Sequence, residues 1–344
     1  MIKARVLPTG IGSLPCVDAN QALDLVFKYC PQVPFWPQLP KRDPREGMVA
    51  QFSENLPCIR MSRNGVFFDP QRKENELEVF YAHIIENDTD HFKITPDFAR
   101  GLHSFYERLE KSDYPDIEFI KCHVTGPFTF AAGIQDEAGK ALLHDTVFMQ
   151  AITKGLGMKA LWQIKTFRKF GKKIILFFDE PYLGCFGSGF TPITRETVVS
   201  VLEEFTAAIR SEDVYIGVHC CGNTDWSIFT DVPGIDIINF DAFSYQDKFV
   251  LYADDLKGFL QRGGIICWGV VPTQEFDGSQ TPELLVERIE EGFKRLIAHG
   301  VKRELLTEGL MLSPACGLGT LDAAKAKGIF KLLSQTSEFI KKHF

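Results

Sequence analysis

His219 and Cys221 stand two residues apart in the run Ile216-Gly217-Val218-His219-Cys220-Cys221-Gly222-Asn223-Thr224. Alternate side chains of an extended strand share a face, so His219 and Cys221 point one way and Cys220 the other. A further sulfur, Cys316, lies in Pro314-Ala315-Cys316-Gly317-Leu318-Gly319. Imidazole nitrogen and thiolate sulfur are preferred ligands of Zn²⁺, and a catalytic zinc typically has three protein ligands and one open position. Ligands drawn from separate strand ends suit catalysis, whereas a zinc finger takes its ligands from near neighbours in sequence. The competing reading is that His219 and the cysteines are ordinary core residues, because cysteine is among the most buried residue types. Spacing alone leaves both open.

Such a tripod needs strands that end together. Apolar, β-rich runs occur at Val33–Gln38, Phe119–Val124, Lys173–Phe178, Tyr215–His219, Asp236–Phe240, Ile265–Val270 and Leu310–Leu312, with a short first strand near Pro8–Gly10. Amphipathic helical patterns separate them, among them Asp145–Phe170, Thr194–Arg210, Thr281–His299 and Leu321–Lys341. Continuous apolar strands alternating with helices predict a parallel sheet covered on both faces. No Gly-rich phosphate loop follows the first strand; Gly184–Gly189 follows a middle strand and does not match a dinucleotide fingerprint. Nearly every strand ends in a polar or reactive cluster: Gly12-Ser13, Thr125-Gly126-Pro127, Asp179-Glu180-Pro181, His219-Cys220-Cys221, Asp241 and Ser313-Pro314-Ala315-Cys316. A (β/α)₈ TIM barrel gathers all of these at its C-terminal face. The expectation is therefore one barrel domain over residues 1–344. Ile59-Arg60-Met61 and Val66-Phe67-Phe68 around Asn64-Gly65 add a β-hairpin insertion near 57–69.

Composition narrows the class of partner. The net charge of −7 gives no basic surface excess, so no nucleic acid is expected as a ligand. No apolar window approaches the length of a membrane span, and Met1–Pro8 lacks the apolar core of a signal peptide. An odd count of nine cysteines argues against a disulfide framework. The expected setting is cytoplasmic, without a membrane partner.

Four stretches carry a resemblance. Ile11-Gly12-Ser13-Leu14-Pro15, Thr125-Gly126-Pro127 and Asp179-Glu180-Pro181 resemble the Ile-Gly-Ser-Phe-Pro, Thr-Gly-Pro and Asp-Glu-Pro motifs of the cobalamin-independent methionine synthase barrel. His219-Cys220-Cys221-Gly222-Asn223 resembles the His-x-Cys-Gly-Asn of methylcobalamin:coenzyme M methyltransferases, and Cys316 matches the late cysteine ligand of both groups. The chain thus resembles, over nearly its whole length, the superfamily that joins these enzymes with uroporphyrinogen decarboxylase.

The resemblance implies a zinc-dependent methyltransferase in which a small-molecule thiol, activated as thiolate, takes methyl from a corrinoid or folate donor. His219, Cys221 and Cys316 would bind the metal. In the methionine synthases a carboxylate at the next strand end completes the site, and Asp241 stands where the family has Glu. Shorter by one methylene, it would ligate directly, ligate through water, or only hydrogen-bond a ligand. The resemblance further implies Asp179 and Glu180 as catalytic residues and Ile11, Ser13 and Asp179 as contacts of the acceptor. Arg42 occupies the position of a further family Glu that binds the homocysteine amino group. A guanidinium there suits a carboxylate or sulfonate on the acceptor; alternatively Lys41-Arg42-Asp43 is a solvated loop. Folate-dependent methionine synthases carry two related barrels and this sequence one, so methyl from a separate corrinoid protein is as much implied as methyltetrahydrofolate. Two rivals remain. A uroporphyrinogen-decarboxylase-like enzyme would work without metal but wants arginines near the first strand, where Arg5 stands alone. A non-catalytic protein with a structural zinc would want a fourth protein ligand.

Overall fold

The apolar runs hold a sheet because each can be buried on two sides. A computed structural model describes residues 4–62, 65–136, 138–188 and 193–343. In chain order it contains β1 (Ala4–Pro8), α1 (Ala19–Tyr29), β2 (Ile59–Ser62), β3 (Gly65–Phe68), α2 (Lys73–Ile85), α3 (Arg100–Lys111), β4 (Phe119–Thr125) and α4 (Pro127–Ala132). There follow α5 (Thr146–Arg168), β5 (Lys173–Asp179), α6 (Arg195–Ile209), β6 (Val214–Cys220), α7 (Ser227–Asp231), β7 (Ile237–Phe240), α8 (Ala242–Phe249) and α9 (Ala253–Gln261). The chain ends with β8 (Ile265–Val271), α10 (Pro282–Ala298), α11 (Arg303–Glu308), β9 (Gly309–Pro314) and α12 (Ala323–His343). Seven strands pair in the order β1-β9-β8-β7-β6-β5-β4, all parallel. The architecture is α/β, a curled parallel sheet with helices packed on it.

The period of two sorts each strand between two cores. Leu7, Phe119, Ile175, Phe177, Ile237 and Met311 meet inside the curl. Their neighbours Ile120, Ile174, Leu176, Ile238 and Leu312 face the helices. Gly217 makes the inner core fit, since a Cβ there would lie 2.2 Å from the Phe177 ring. The helices start where short polar side chains free a turn. Asp145 accepts from Val147 and Phe148 N–H at the start of α5, and Thr194 and Thr281 do the same for α6 and α10.

Two expectations need correction. Val33–Gln38, the expected second strand, is no regular strand. Single bridges join Phe35 to Lys121 on β4 and Gln38 to Ser13 beyond β1. Pro34 and Pro37 are the physical reason: neither has an N–H to give to a ladder. Regular pairing therefore leaves the sheet open between β1 and β4, and the closed eight-strand barrel is not seen. Lys121 N–H still donates to Pro34 O (2.9 Å), and Gln38 N–H to Gly12 O (3.1 Å). The expected hairpin is present as β2 and β3, in register from Ile59–Phe68 to Ser62–Gly65. Of its expected Asn-Gly turn, Asn64 lies outside the described residues, as does Arg63. No helix among the described residues is long and apolar enough to cross a membrane.

Candidate metal centre

The C-terminal ends of β4 to β9 carry the reactive side chains. Register aligns Thr125 with Asp179, Asp179 with His219, and His219 with Asn239. One ligand atom each from His219, Cys221 and Cys316 lies within 4.8 Å of the other two. His219 is the second-last residue of β6, Cys221 follows one residue past the strand, and Cys316 stands two residues beyond β9. Cys220 joins the helix-side core instead, and burial pushes its thiol up to about 12.

A residue missed by sequence reasoning sets the imidazole. Asn239 donates from Nδ2 to Cys267 O (2.9 Å) and to Ser313 Oγ (2.8 Å), and Ser313 Oγ in turn donates to Pro314 O. With both amide hydrogens directed to acceptors, Asn239 Oδ1 must accept from His219 Nδ1, 2.5 Å away. That keeps a hydrogen on Nδ1 and leaves Nε2 as the nitrogen that meets Cys316 and, once deprotonated, the one that could bind a metal. The signal was available: Asn239 precedes Asp241 by two residues and so shares its face.

The charges favour ligation. Hydrogen bonds from Cys221 and His219 hold Cys316 well below the usual thiol range, against the effect of burial, so Cys316 is the sulfur that ionises first. Cys221 is pushed the other way, by its bond to Cys316 and by burial. Burial lowers His219, but the Cys316 hydrogen bond and the charges of Asp179 and Cys316 outweigh it, and the net shift is upward. Asp179 is raised to about 6 by burial, and its Oδ1 has no partner among the described residues. One imidazole and two thiols, one of them ready to be a thiolate, form a donor set that fits Zn²⁺.

Asp241 is not part of the converging group. It caps α8, where Oδ1 accepts from Ser244 N–H at 2.8 Å. Burial raises its pKa, and the charge of Cys316 adds to the rise. Glu180 likewise has a holding role. Its Oε1 accepts from Phe128 N–H (2.9 Å), and its Oε2 from Thr129 N–H (2.8 Å) and Oγ1 (2.7 Å). These are the first orphan donors of α4, whose N-cap Gly126 has no side chain to offer. A Cβ on Gly126 would lie 2.3 Å from the Glu180 carboxyl carbon, so the Thr-Gly-Pro and Asp-Glu-Pro motifs lock into each other.

Ser13 braces the Cys316 loop. Its carbonyl accepts from Leu318 N–H (2.9 Å) and its Oγ from Gly319 N–H (3.2 Å). Ile11 O receives the buried Lys121 ammonium at 2.6 Å. Lys121 and His123 were also missed, although alternation from Phe119 places both on the inner face. Both ring nitrogens of His123 are buried without a partner among the described residues, and its ring stacks on Trp36 at 3.7 Å. Arg42 is no free loop cation: it pairs with Glu46, whose side chain is fully buried, and donates to Asp97 O at 3.2 Å. A cavity of about 510 Å³ opens at the opposite ends of the strands, lined by Leu7, Glu118 and Leu310 among others, away from these residues.

No protein-family model matches the chain, and no curated protein matches it. Among solved structures it is similar to a B12-independent methionine synthase from Shewanella sp. W3-18-1 in complex with selenomethionine. The identity is 19% over 69% of this chain and 67% of that one, with a TM-score of 0.47. It also matches a GH138 enzyme targeting pectin rhamnogalacturonan II, at 11% identity over 72% of this chain and 36% of that one, TM-score 0.29. Neither likeness is close enough to carry an argument about activity.

Proposed function

We propose that this chain is a zinc-dependent methyltransferase with a thiol acceptor. The observation that carries the reading is the convergence of His219, Cys221 and Cys316 within 4.8 Å, with the His219 tautomer set by Asn239. Zn²⁺ on His219 Nε2 and the two sulfurs would supply Lewis acidity that lets an incoming thiol react as thiolate. A structural zinc would call for a fourth protein ligand, and only three converge among the described residues.

The chain's own residues hold the acceptor. Asp179 offers its unpartnered Oδ1 to a polar group of the thiol, and Ile11 and Ser13, on the loop after β1 that braces the Cys316 loop, would be further contacts. Arg42 stands outside them and shares its charge with Glu46, which weakens its pull on an acceptor carboxylate or sulfonate. Asp241 stays at the start of α8, held by Ser244 N–H. Glu180 keeps α4 in place and takes no part in the bond change. In that change the sulfur lone pair forms the S–CH₃ bond, while the methyl group's bond to the donor breaks and its electrons leave with the donor. Methyltetrahydrofolate or a methylcorrinoid on a separate protein would serve as donor. Residues 33–38 fill the eighth position of a TIM-like ring, through the bridges to Ser13 and Lys121. A small-molecule substrate, no nucleic acid, no membrane and a cytoplasmic setting complete the proposal.

The test is metal content and an exchangeable ligand. Protein purified without chelators should hold one zinc, lost in Cys316→Ala with the fold retained, and zinc-edge absorption should gain a Zn–S contact with one of a panel of thiols. Far less than stoichiometric zinc, with no further loss in Cys316→Ala, would overturn the reading and favour a metal-free enzyme.

A further inference from the structure

A second set of metal-binding side chains lies outside the sheet, on the insertion side of the molecule. His83 sits in the last turn of α2, and Asp88 and His91 follow in the turns after it. One ligand atom from each lies within 4.8 Å of the other two. Backbone bonds gather them before any ion arrives. Asp88 N–H donates to His83 O (3.0 Å), and His91 N–H to Asp88 Oδ1 (3.3 Å). The other Asp88 oxygen is 3.0 Å from His83 Nδ1. Asn55 Nδ2 fixes the His91 carbonyl at 2.6 Å, so the segment is pinned on a second side.

We infer that His83, Asp88 and His91 form a site for one divalent transition-metal ion, separate from the cysteine-bearing centre. Two imidazoles and one carboxylate, all half-buried, suit Zn²⁺, Co²⁺ or Ni²⁺; the oxygen-rich sites of Mg²⁺ and Ca²⁺ have a different make-up. The rings stack at 3.7 Å, 11° from parallel. Ligation therefore turns the His91 ring about χ2, the broad torsion of a histidine. The field of the Lys159 ammonium reaches His91 and works against a cation, and Asp88 is the charge that offsets it. An ion there clasps the end of α2 to the segment that Asn55 holds.

Titration of the intact, metal-depleted protein with Co²⁺ tests this inference independently of the methyltransferase reading. Sulfur ligation at Cys221 and Cys316 gives intense thiolate-to-cobalt absorption, whereas nitrogen and oxygen ligands give only weak d–d bands. The expected result is a second equivalent of the weak type. His83→Ala and His91→Ala should each weaken that equivalent at least tenfold, a loss no smaller than that seen when a ligand's hydrogen-bond partner is removed. The thiolate band should stay unchanged in both. If the cysteine-bearing centre binds no metal, the thiolate band is missing and the weak-type equivalent alone remains. The inference is overturned if no weak-type equivalent appears, or if it persists at full affinity in both variants.

Discussion

Asn239→Leu should separate zinc affinity from fold stability in a way the geometry quantifies. Leucine has the branched outline of asparagine with bulkier methyl ends, so the inner core stays filled while three hydrogen bonds vanish. His219 Nδ1–H loses its acceptor, and Cys267 O and Ser313 Oγ lose a donor. Orphaning one buried group of this kind costs about 1–3 kcal/mol, and more than one is orphaned here, so urea unfolding of the metal-free variant should show a loss of at least that size. The imidazole is then free to take the other tautomer and to rotate. Loss of the partner of a metal-bound histidine typically weakens binding about 10–100-fold, or about 1.4–2.8 kcal/mol. Competition with a chromophoric chelator at fixed pH reads that quantity directly. Asn239→Asp is the control. It keeps an acceptor for His219 but cannot donate to Cys267 O, so it should lose stability and hold zinc within a few-fold of wild type. The reasoning fails if Asn239→Leu binds zinc within threefold of wild type. It fails equally if Asn239→Asp falls as far as Asn239→Leu, because a general disturbance of the pocket would then explain both.

The other expectations are briefer. Gly126→Ala should destabilise the fold by about 1–3 kcal/mol in urea unfolding, since its Cβ meets the Glu180 carboxyl at 2.3 Å; the loss should shrink in a Glu180→Ala background. Cys220→Ser should keep the zinc stoichiometry that Cys221→Ser and Cys316→Ser lose, because Cys220 faces the helices. Lys159, buried with an unpartnered Nζ, is lowered from 10.5 to about 8 by burial, with Glu54 opposing. A depressed base destabilises the fold while it is charged in both states, below about pH 8, and the penalty fades as pH rises to the unfolded value of 10.5. Lys159→Met should therefore be more stable than wild type by up to about 3 kcal/mol at pH 7, with the gap closing by pH 10.5; a gap independent of pH would refute the assignment.

Much of this was legible in the sequence, for a physical reason. The strand pleat has a period of two, so His219 and Cys221 could be placed on one face and Cys220 on the other before any coordinates. The same rule reaches Asn239, Lys121 and His123, each an even step from a residue already placed inside. They were passed over because an amide, an ammonium or a lone imidazole in an apolar strand does not announce chemistry by type. Val33–Gln38 failed for the opposite reason. Its apolar pattern is that of a strand, but Pro34 and Pro37 cannot donate, and pattern does not count hydrogen-bond donors. Arg42 needed a partner four residues on, and nothing in the local sequence shows that Glu46 would be buried beneath it.

Asp179 and Glu180 show how one dipeptide can serve two ends. On the last pleat of β5 the neighbours must face opposite ways, so one carboxyl looks into the curl and the other toward α4. Glu180 meets three donors there and is satisfied. Asp179 meets His219 and the field of Lys121, yet keeps an oxygen without a partner. Burying an unsatisfied polar atom is costly, and folds tolerate it mainly where a ligand supplies what the chain does not. His123, with two unpaired nitrogens on the same inner face, repeats the pattern one strand away. Glu180, which holds α4, is thus fully bonded, while Asp179 and His123 keep unspent bonding capacity on the inner face; among the described residues the same is true elsewhere, at Lys159, Trp226 and Gln246.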